Sequence, residues 1–318
     1  MFDVNKIVRC PTCSGKLDQT NAGLFCNTCD TKYPIVNNVV CFAETDPFYD
    51  QYAVDECPFA LTPKGIIALI LKIFPFWSYR EWRFWRQVIP KGGKLLDIGA
   101  GRGKEIFLER ADTMVGIDGS LTFLKDCLDN YDAAVLASLP KLPFDDETFD
   151  VVASSHVIGH IPVEDKDALI AEMARVLKPG GITAHIIETD SESETMKATK
   201  HNADFYKHLI VDQDGHIGLE LADDILDRFR RGGFKVRVMR MVDAIVPSAH
   251  YYGKYLQHDE FGELPGIGWS RRLKHLNESS YLGNLMYEFG FGAFHRTIEQ
   301  WFGKPNHANF IHVSFEKI

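Results

Sequence analysis

Apolar positions along the chain fall into short continuous runs separated by stretches with helical spacing. The runs at 95–98, 114–118, 133–136, 149–154, 182–188 and 234–242 have the length of buried strands, and amphipathic segments stand between them from about 103 and at 120–130, 164–177 and 219–231. A strand that is apolar on both sides needs cover on both faces, so strict alternation of strand and helix predicts a parallel sheet wrapped by helices. The closing segment "NFIHVSFEK" alternates as a strand does, after about sixty residues of aromatic, glycine-containing and helical sequence. The expectation is an α/β, Rossmann-like, seven-stranded and mostly parallel sheet with helices on both faces, interrupted by an insertion at about 247–306. Insertions of this length usually build a binding site or a lid.

The first 45 residues follow a different pattern, with short strands around "GLFC" and "KYPIVNNVVCF" and too few apolar positions to fold unaided. Four of the seven cysteines stand here in two pairs, "CPTC" at Cys10 and Cys13 and "CNTC" at Cys26 and Cys29. Two tight turns of this spacing can present four thiolates tetrahedrally to one ion, so residues 1–45 read as a zinc ribbon, a small separate module folded by its metal. Cys41, Cys57 and Cys127 lack paired spacing and read as small, partly buried hydrophobes. Residues 46–92 read as an acidic, aromatic linker followed by a helical cap broken near Pro75, and residues 93–318 as the main domain.

Composition narrows the picture. A chain of 318 residues with 45% hydrophobic and 12% aromatic content can build a sizeable core. No run approaches the roughly 20 apolar residues of a membrane span, and "MFDVNKIVRC" lacks the apolar run of a signal peptide, so the expected address is the cytoplasm. A net charge of -9 argues against a surface devoted throughout to nucleic-acid phosphates. Charge is nonetheless segregated: between Lys64 and Lys94 seven basic residues face one acid, Glu81. There the aromatics Phe74, Phe76, Trp77, Tyr79, Trp82, Phe84 and Trp85 interleave with Arg80, Arg83 and Arg86. Three readings stand: helices capping a pocket with their aromatics inward, a peripheral membrane contact through residues 65–86, and a stacking surface for RNA.

The stretch "LLDIGAGRGKEIF" places Gly99, Gly101 and Gly103 behind a buried strand, where a ligand can approach the backbone closely. Asp118 ends the next strand, where a carboxylate can accept from both hydroxyls of a ribose. A nicotinamide dinucleotide and S-adenosylmethionine share that need. The spacing lacks the third glycine of Gly-x-Gly-x-x-Gly, and Asp97 beside it suits a cationic ligand better than a pyrophosphate.

The segments "LPFDDETFDVVASSHVIGHI" and "EMARVLKPGGITAHI" follow in order, and residues 93–190 together resemble the class I S-adenosylmethionine-dependent methyltransferases, in the group that includes the ubiquinone and menaquinone methyltransferases. The resemblance implies that Gly99 and Gly101 pass beneath the methionine part of the cofactor, Asp97 lies near its amino group and Asp118 holds the ribose. It further implies that Ser138 and Leu139 form the adenine-binding turn, and that Ser155 and His156 line the methionine end. The family often carries an acid in the turn before "LPF"; here Ser138 stands there, so adenine recognition is expected to lean on backbone groups.

Methyl transfer to a hydroxyl needs a base, and His160 and His216 are equal candidates, with Glu188 or Asp190 ending the nearby strand. Residues 1–45 carry four basic and four acidic residues, no electrostatic grip on phosphate, so a small-molecule, saccharide or lipid-linked acceptor is expected, with O-methylation as the reaction. Ribosomal RNA base methylation is the alternative. A third reading takes the chain as a cofactor-binding activator without catalysis of its own, since "YPIVNNVVCF" resembles small stand-alone zinc proteins that activate methyltransferases.

Overall fold

The computed structural model describes residues 3–21, 23–55, 77–245 and 298–318. The expected helical segment at 64–76, with Phe74 and Phe76, and most of the expected insertion at 247–306 lie outside the described residues. A small antiparallel sheet opens the chain, with β1 (Asp18–Thr20), β2 (Gly23–Cys26) and β3 (Thr31–Tyr33). A short hairpin follows, β4 (Ile35–Val36) and β5 (Val39–Cys41), then helices α1 (Pro47–Asp55) and α2 (Trp77–Val88).

The main sheet is built from β6 (Lys94–Ile98), β7 (Thr113–Asp118), β8 (Ala133–Leu136), β9 (Phe149–Ser155), β10 (Leu177–Glu188), β11 (Phe234–Val242) and β12 (Phe310–Lys317). The connecting helices are α3 (Glu105–Leu108), α4 (Leu121–Cys127), α5 (Lys166–Val176), α6 (Glu194–His201), α7 (Ala203–Tyr206) and α8 (Ala222–Arg231). Strands β6 to β10 run parallel, and β12 lies antiparallel between β10 and β11.

The pleat sorts neighbouring residues onto opposite faces. Leu96, Ile98, Val115 and Val135 meet Ile170, Met173 and Phe229 from α5 and α8, whereas Leu95, Met114 and Ala134 meet Phe84, Trp85, Phe107 and Leu124 from α2, α3 and α4. Two cores therefore sandwich one sheet, as its apolar strands require.

Among the described residues the sheet has nine strands, in the order β11-β12-β10-β9-β6-β7-β8-β5-β4. The seven from β11 to β8 are those expected from the sequence; the other two come from the N-terminal segment. Strand β5 pairs in parallel with β8, Val39 opposite Ala134 and Cys41 opposite Leu136. Without it, β8 would present an open edge of unpaired N–H and C=O groups. The ribbon is thus not a module with its own core. Val8, Cys10, Leu24, Cys26 and Tyr33 share one apolar cluster with Leu142, Phe144 and Leu96, because the ribbon has too few apolar side chains to bury them on themselves.

The linker expected from residue 46 also carries more structure, up to Asp55, than its sequence suggests. Its α1 docks on α4: Asp50 Oδ1 accepts from the Ser120 hydroxyl at 2.6 Å and from the Thr122 N–H at 3.2 Å, and the Asp46 N–H donates to the Gly119 carbonyl at 2.8 Å. In α2, Phe84 and Trp85 are fully buried and Arg83 and Arg86 exposed, the inward-facing cap of the three readings. These two aromatics face the core, and residues 65–76 of the segment read as a membrane contact lie outside the described residues. No helix among the described residues is long and apolar enough to cross a membrane.

Candidate active site

A cavity of about 830 Å³ opens at the carboxyl ends of the parallel strands. That is where open α/β sheets hold ligands, and the size falls within the roughly 300–1,000 Å³ usual for small-molecule sites. One end is the loop after β6. Gly99 has φ +65 and a Cβ there would strike Val157 Cγ2 at 2.2 Å, so the loop is seated as tightly as glycine allows. Gly101 has φ +54, and a Cβ there would meet nothing within 4 Å: beside the backbone lies open space.

The Gly101 N–H donates to Asp118 Oδ2 and the Ser120 N–H to Oδ1, both at 2.9 Å. Burial raises the Asp118 carboxyl against the pull of these donors. Ala137, Ser138 and Leu139 close the same end. Asp97 is not on the cavity wall. It is fully buried beneath the loop, where Oδ2 accepts from the Tyr131 hydroxyl at 2.8 Å, and Tyr131 in turn accepts from the Lys104 N–H at 2.9 Å. Burial pushes the Asp97 carboxyl up to about 7. Through Tyr131 it braces the glycine loop from below, and its Oδ1 is buried with no hydrogen-bond partner.

The other end is rich in imidazoles and carboxylates. His156, just past β9, takes φ +59, costly for a non-glycine residue, and two carboxylates hold it. Its Nδ1 contacts Glu188 Oε1 from the end of β10, and its Nε2 lies 3.5 Å from Glu81 Oε1 on α2. Burial works against the charged imidazole, but Glu188 and Glu81 outweigh it and push the group up to about 10. Burial likewise opposes the charge on both carboxylates, yet the facing imidazolium holds each down to about 2. The three form a fixed acid–imidazolium–acid wall. Ser155 Oγ, Glu188 Oε2 and Asn309 Nδ2 are buried at or beside this wall with no hydrogen-bond partner.

His160 and His216 meet across the wall with ring centroids 4.5 Å apart. His160 Nδ1 lies 3.1 Å from the Gly215 carbonyl, and a carbonyl only accepts, so Nδ1 carries the proton and the lone pair belongs to Nε2. His216 sits between Glu188, 3.9 Å from Nε2, and Asp214, 3.8 Å from Nδ1. The segment carrying it is anchored from below by buried Lys166, whose Nζ donates to the Gly218 carbonyl and reaches Glu220 Oε2 at 2.8 Å; Arg228 holds the other Glu220 oxygen at 2.8 Å. Phe48, Tyr49, Met196, Ile210, Leu219 and Phe310 supply apolar walls.

Residues 96–185 match the methyltransferase domain family, and this span holds the glycine loop, Asp118 and the His156 turn. The chain carries a class I S-adenosylmethionine-dependent methyltransferase domain. It is 30% identical over 135 residues to the tRNA (carboxymethyluridine(34)-5-O)-methyltransferase of Arabidopsis thaliana, covering 40% of this chain and 33% of that protein. It is 35% identical over 134 residues to the ubiquinone/menaquinone biosynthesis C-methyltransferase UbiE of Neisseria meningitidis serogroup C, covering 39% of this chain and 52% of that protein. The chain therefore spans about a third of the first relative and about half of the second. A solved complex between the Haloferax volcanii Trm112 methyltransferase activator and a methyltransferase is similar with a TM-score of 0.48 at 16% identity, over 86% of this chain and 99% of that one.

Within the methyltransferase domain, Gly99, Gly101, Asp118, Ser138, Leu139, Ser155, His156, His160 and His216 all line the one cavity. The open space beside Gly101 and the accepting carboxylate of Asp118 fit the cofactor, which supplies a methyl group activated by its sulfonium. Nothing in the sequence assigns a role to Glu81 or Tyr131 or a place to Asn309, and Glu188 stands out there only as a strand end. Glu81 carried one weak signal, the single acid in a basic segment.

Away from the cavity, the four ribbon cysteines converge. Their sulfurs lie 3.5 Å apart for Cys10 and Cys29, 3.4 Å for Cys13 and Cys26, and 3.7 Å for Cys13 and Cys29, all four within 4.8 Å of one another. A tetrahedron with Zn–S of about 2.3 Å has edges of about 3.8 Å, so the donor set and its dimensions suit zinc.

Proposed function

We propose that this chain is an S-adenosylmethionine-dependent methyltransferase that methylates an oxygen of a small, neutral or cationic acceptor such as a saccharide or hydroxylated metabolite. The observation that carries the acceptor class is the charge of the cavity. Its described walls bear five carboxylates, Asp46, Glu81, Asp118, Glu188 and Asp214, against two side-chain cations from Arg and Lys, Arg102 and Lys104, both next to the glycine loop. Even with His156 charged, phosphate or carboxylate groups of an acceptor would meet net negative charge at the imidazole end.

The division of labour follows from position. Asp118 and the glycine loop hold the cofactor, and the fixed trio of Glu81, His156 and Glu188 shapes the wall where acceptor and methyl donor meet, which serves the collinear geometry of an in-line displacement. His160 takes the acceptor proton at Nε2, its tautomer set by the Gly215 carbonyl. His216 packs against it with the rings tilted by 35° and helps hold its orientation.

An RNA acceptor is the second reading, supported by the name of the Arabidopsis thaliana relative. The balanced charge of the ribbon and the acid-lined cavity weigh against it. Incubation of the chain with methyl-labelled cofactor and separated extract fractions tests the proposal. Label should enter a low-molecular-weight fraction and fall by about 100-fold or more with His160→Ala, as expected for loss of a general base. Label in RNA would overturn the acceptor class, and cofactor binding without any transfer would favour the activator reading.

A further inference from the structure

The loop between β8 and β9 begins at the cavity and ends at the ribbon. Ala137, Ser138 and Leu139 line the glycine-loop end of the cavity, the end assigned above to the adenosine of the cofactor. A few residues on, the same loop is fastened to the N-terminal segment. Val8 bridges Phe144, the Arg9 N–H donates to the Pro143 carbonyl at 2.9 Å, and the Asp145 N–H donates to the Ile7 carbonyl at 2.8 Å. The Arg9 guanidinium pairs with Asp145, and Lys141 Nζ donates to the Pro11 carbonyl at 3.1 Å. The loop is gripped at its start as well, where the Phe42 N–H donates to the Leu136 carbonyl at 2.8 Å beside the β5–β8 pairing.

Cys10 stands between Arg9 and Pro11, the two residues whose backbone makes the ribbon's contacts to Pro143 and Lys141. A metal held by both sulfurs would set the shape of the turn from Cys10 to Cys13, and Phe144 is fully buried in the same cluster as Cys10, Leu24 and Cys26. A ribbon this poor in apolar residues depends on its metal for order.

We infer that the ribbon is a positioning element for the cofactor site: zinc held by Cys10, Cys13, Cys26 and Cys29 fixes residues 137–146, and losing it loosens the adenosine end of the cavity. The inference rests on the cofactor assignment above and adds a coupling between two sites that share no ligand. Cofactor affinity and zinc affinity then rise and fall together, since coupling between sites is reciprocal.

The test uses the full chain in three forms: zinc-loaded, chelator-treated, and reloaded with zinc. Two quantities are read, the affinity for S-adenosylhomocysteine by calorimetry and amide hydrogen exchange over residues 137–146. Removing zinc should weaken binding by about tenfold or more and speed exchange in the loop, with zinc restoring both. Because Cys26→Ser risks misfolding, the double variant Arg9→Ala and Lys141→Ala provides a second arm. It should keep its zinc yet bind S-adenosylhomocysteine more weakly than the parent. Unchanged affinity and unchanged exchange after zinc removal would overturn the inference. A zinc-loaded parent that ignores S-adenosylhomocysteine would instead sink the cofactor assignment, and the exchange data would still decide whether the ribbon holds the loop.

Discussion

The Gly101 N–H donates to Asp118 Oδ2 at 2.9 Å, so the residue proposed to hold the ribose also ties down the glycine loop. Asp118→Ala removes both functions. Hydrogen bonds to a charged acceptor contribute about 1.5–3 kcal/mol each, so losing two should weaken S-adenosylhomocysteine binding by roughly 100-fold or more. Calorimetric titration measures it. A modest fall in thermal stability should accompany the loss, because the N–H groups of Gly101 and Ser120 lose their acceptor.

The trio of Glu81, His156 and Glu188 makes stability depend on pH in a defined direction. The His156 imidazole is raised from 6.5 to about 10 by its carboxylates, against the effect of burial, so its contribution is fully present below 6.5 and is lost as pH rises through about 10. Glu81 and Glu188 are lowered from 4.5 to about 2, so theirs is present above 4.5 and is lost as pH falls through about 2. Urea unfolding of the parent and of His156→Gln across pH should show the largest difference between 4.5 and 6.5, shrinking toward 10. A constant difference would mean that His156 stabilises by packing alone.

The basic aromatic helix α2 should respond to substitution according to face. Trp85 is 1% exposed and meets Phe84 and Phe107 with centroids 5.1 and 5.2 Å away, so Trp85→Ala should cost about 3–5 kcal/mol in denaturant unfolding. Arg86 lies over the Trp82 ring at 4.8 Å on the exposed side, and Arg86→Ala should cost no more than about 1 kcal/mol.

Most strands were legible because they are apolar on both faces, which leaves little ambiguity in length or type. The exception is β10, expected from 182, which begins at Leu177 and pairs irregularly with β9 between Leu177 and Ile182. Gly180 and Gly181 obscured the strand, since glycine in a run reads as a turn. The pairing of Val39–Cys41 with Ala134–Leu136 was not legible. It joins residues about a hundred positions apart, and nothing in either run names its partner.

In the site, spacing brought out the residues that belong to a recurring backbone motif: Gly99, Gly101, Asp118 and the turns after β8 and β9. Glu81, Tyr131 and Asn309 act through contacts made only when distant elements close on the cavity. Asp97, adjacent to the motif, gives Oδ2 to Tyr131, a partner its sequence position does not name, while Oδ1 is buried with no hydrogen-bond partner.

Gly101 offers the most direct measurement of the central claim, that the space beside it is held open for S-adenosylmethionine. A methyl group at Gly101 would touch no protein atom within 4 Å, so Gly101→Ala should fold, losing about 1–2 kcal/mol for its positive φ. Titration of S-adenosylhomocysteine into parent and variant then separates room in the fold from room for the cofactor. The parent should bind one molecule per chain, and a folded Gly101→Ala should bind about tenfold or more weakly. A parent that does not bind S-adenosylhomocysteine, or a variant that binds it as tightly as the parent, would mean that the space beside Gly101 does not hold the cofactor.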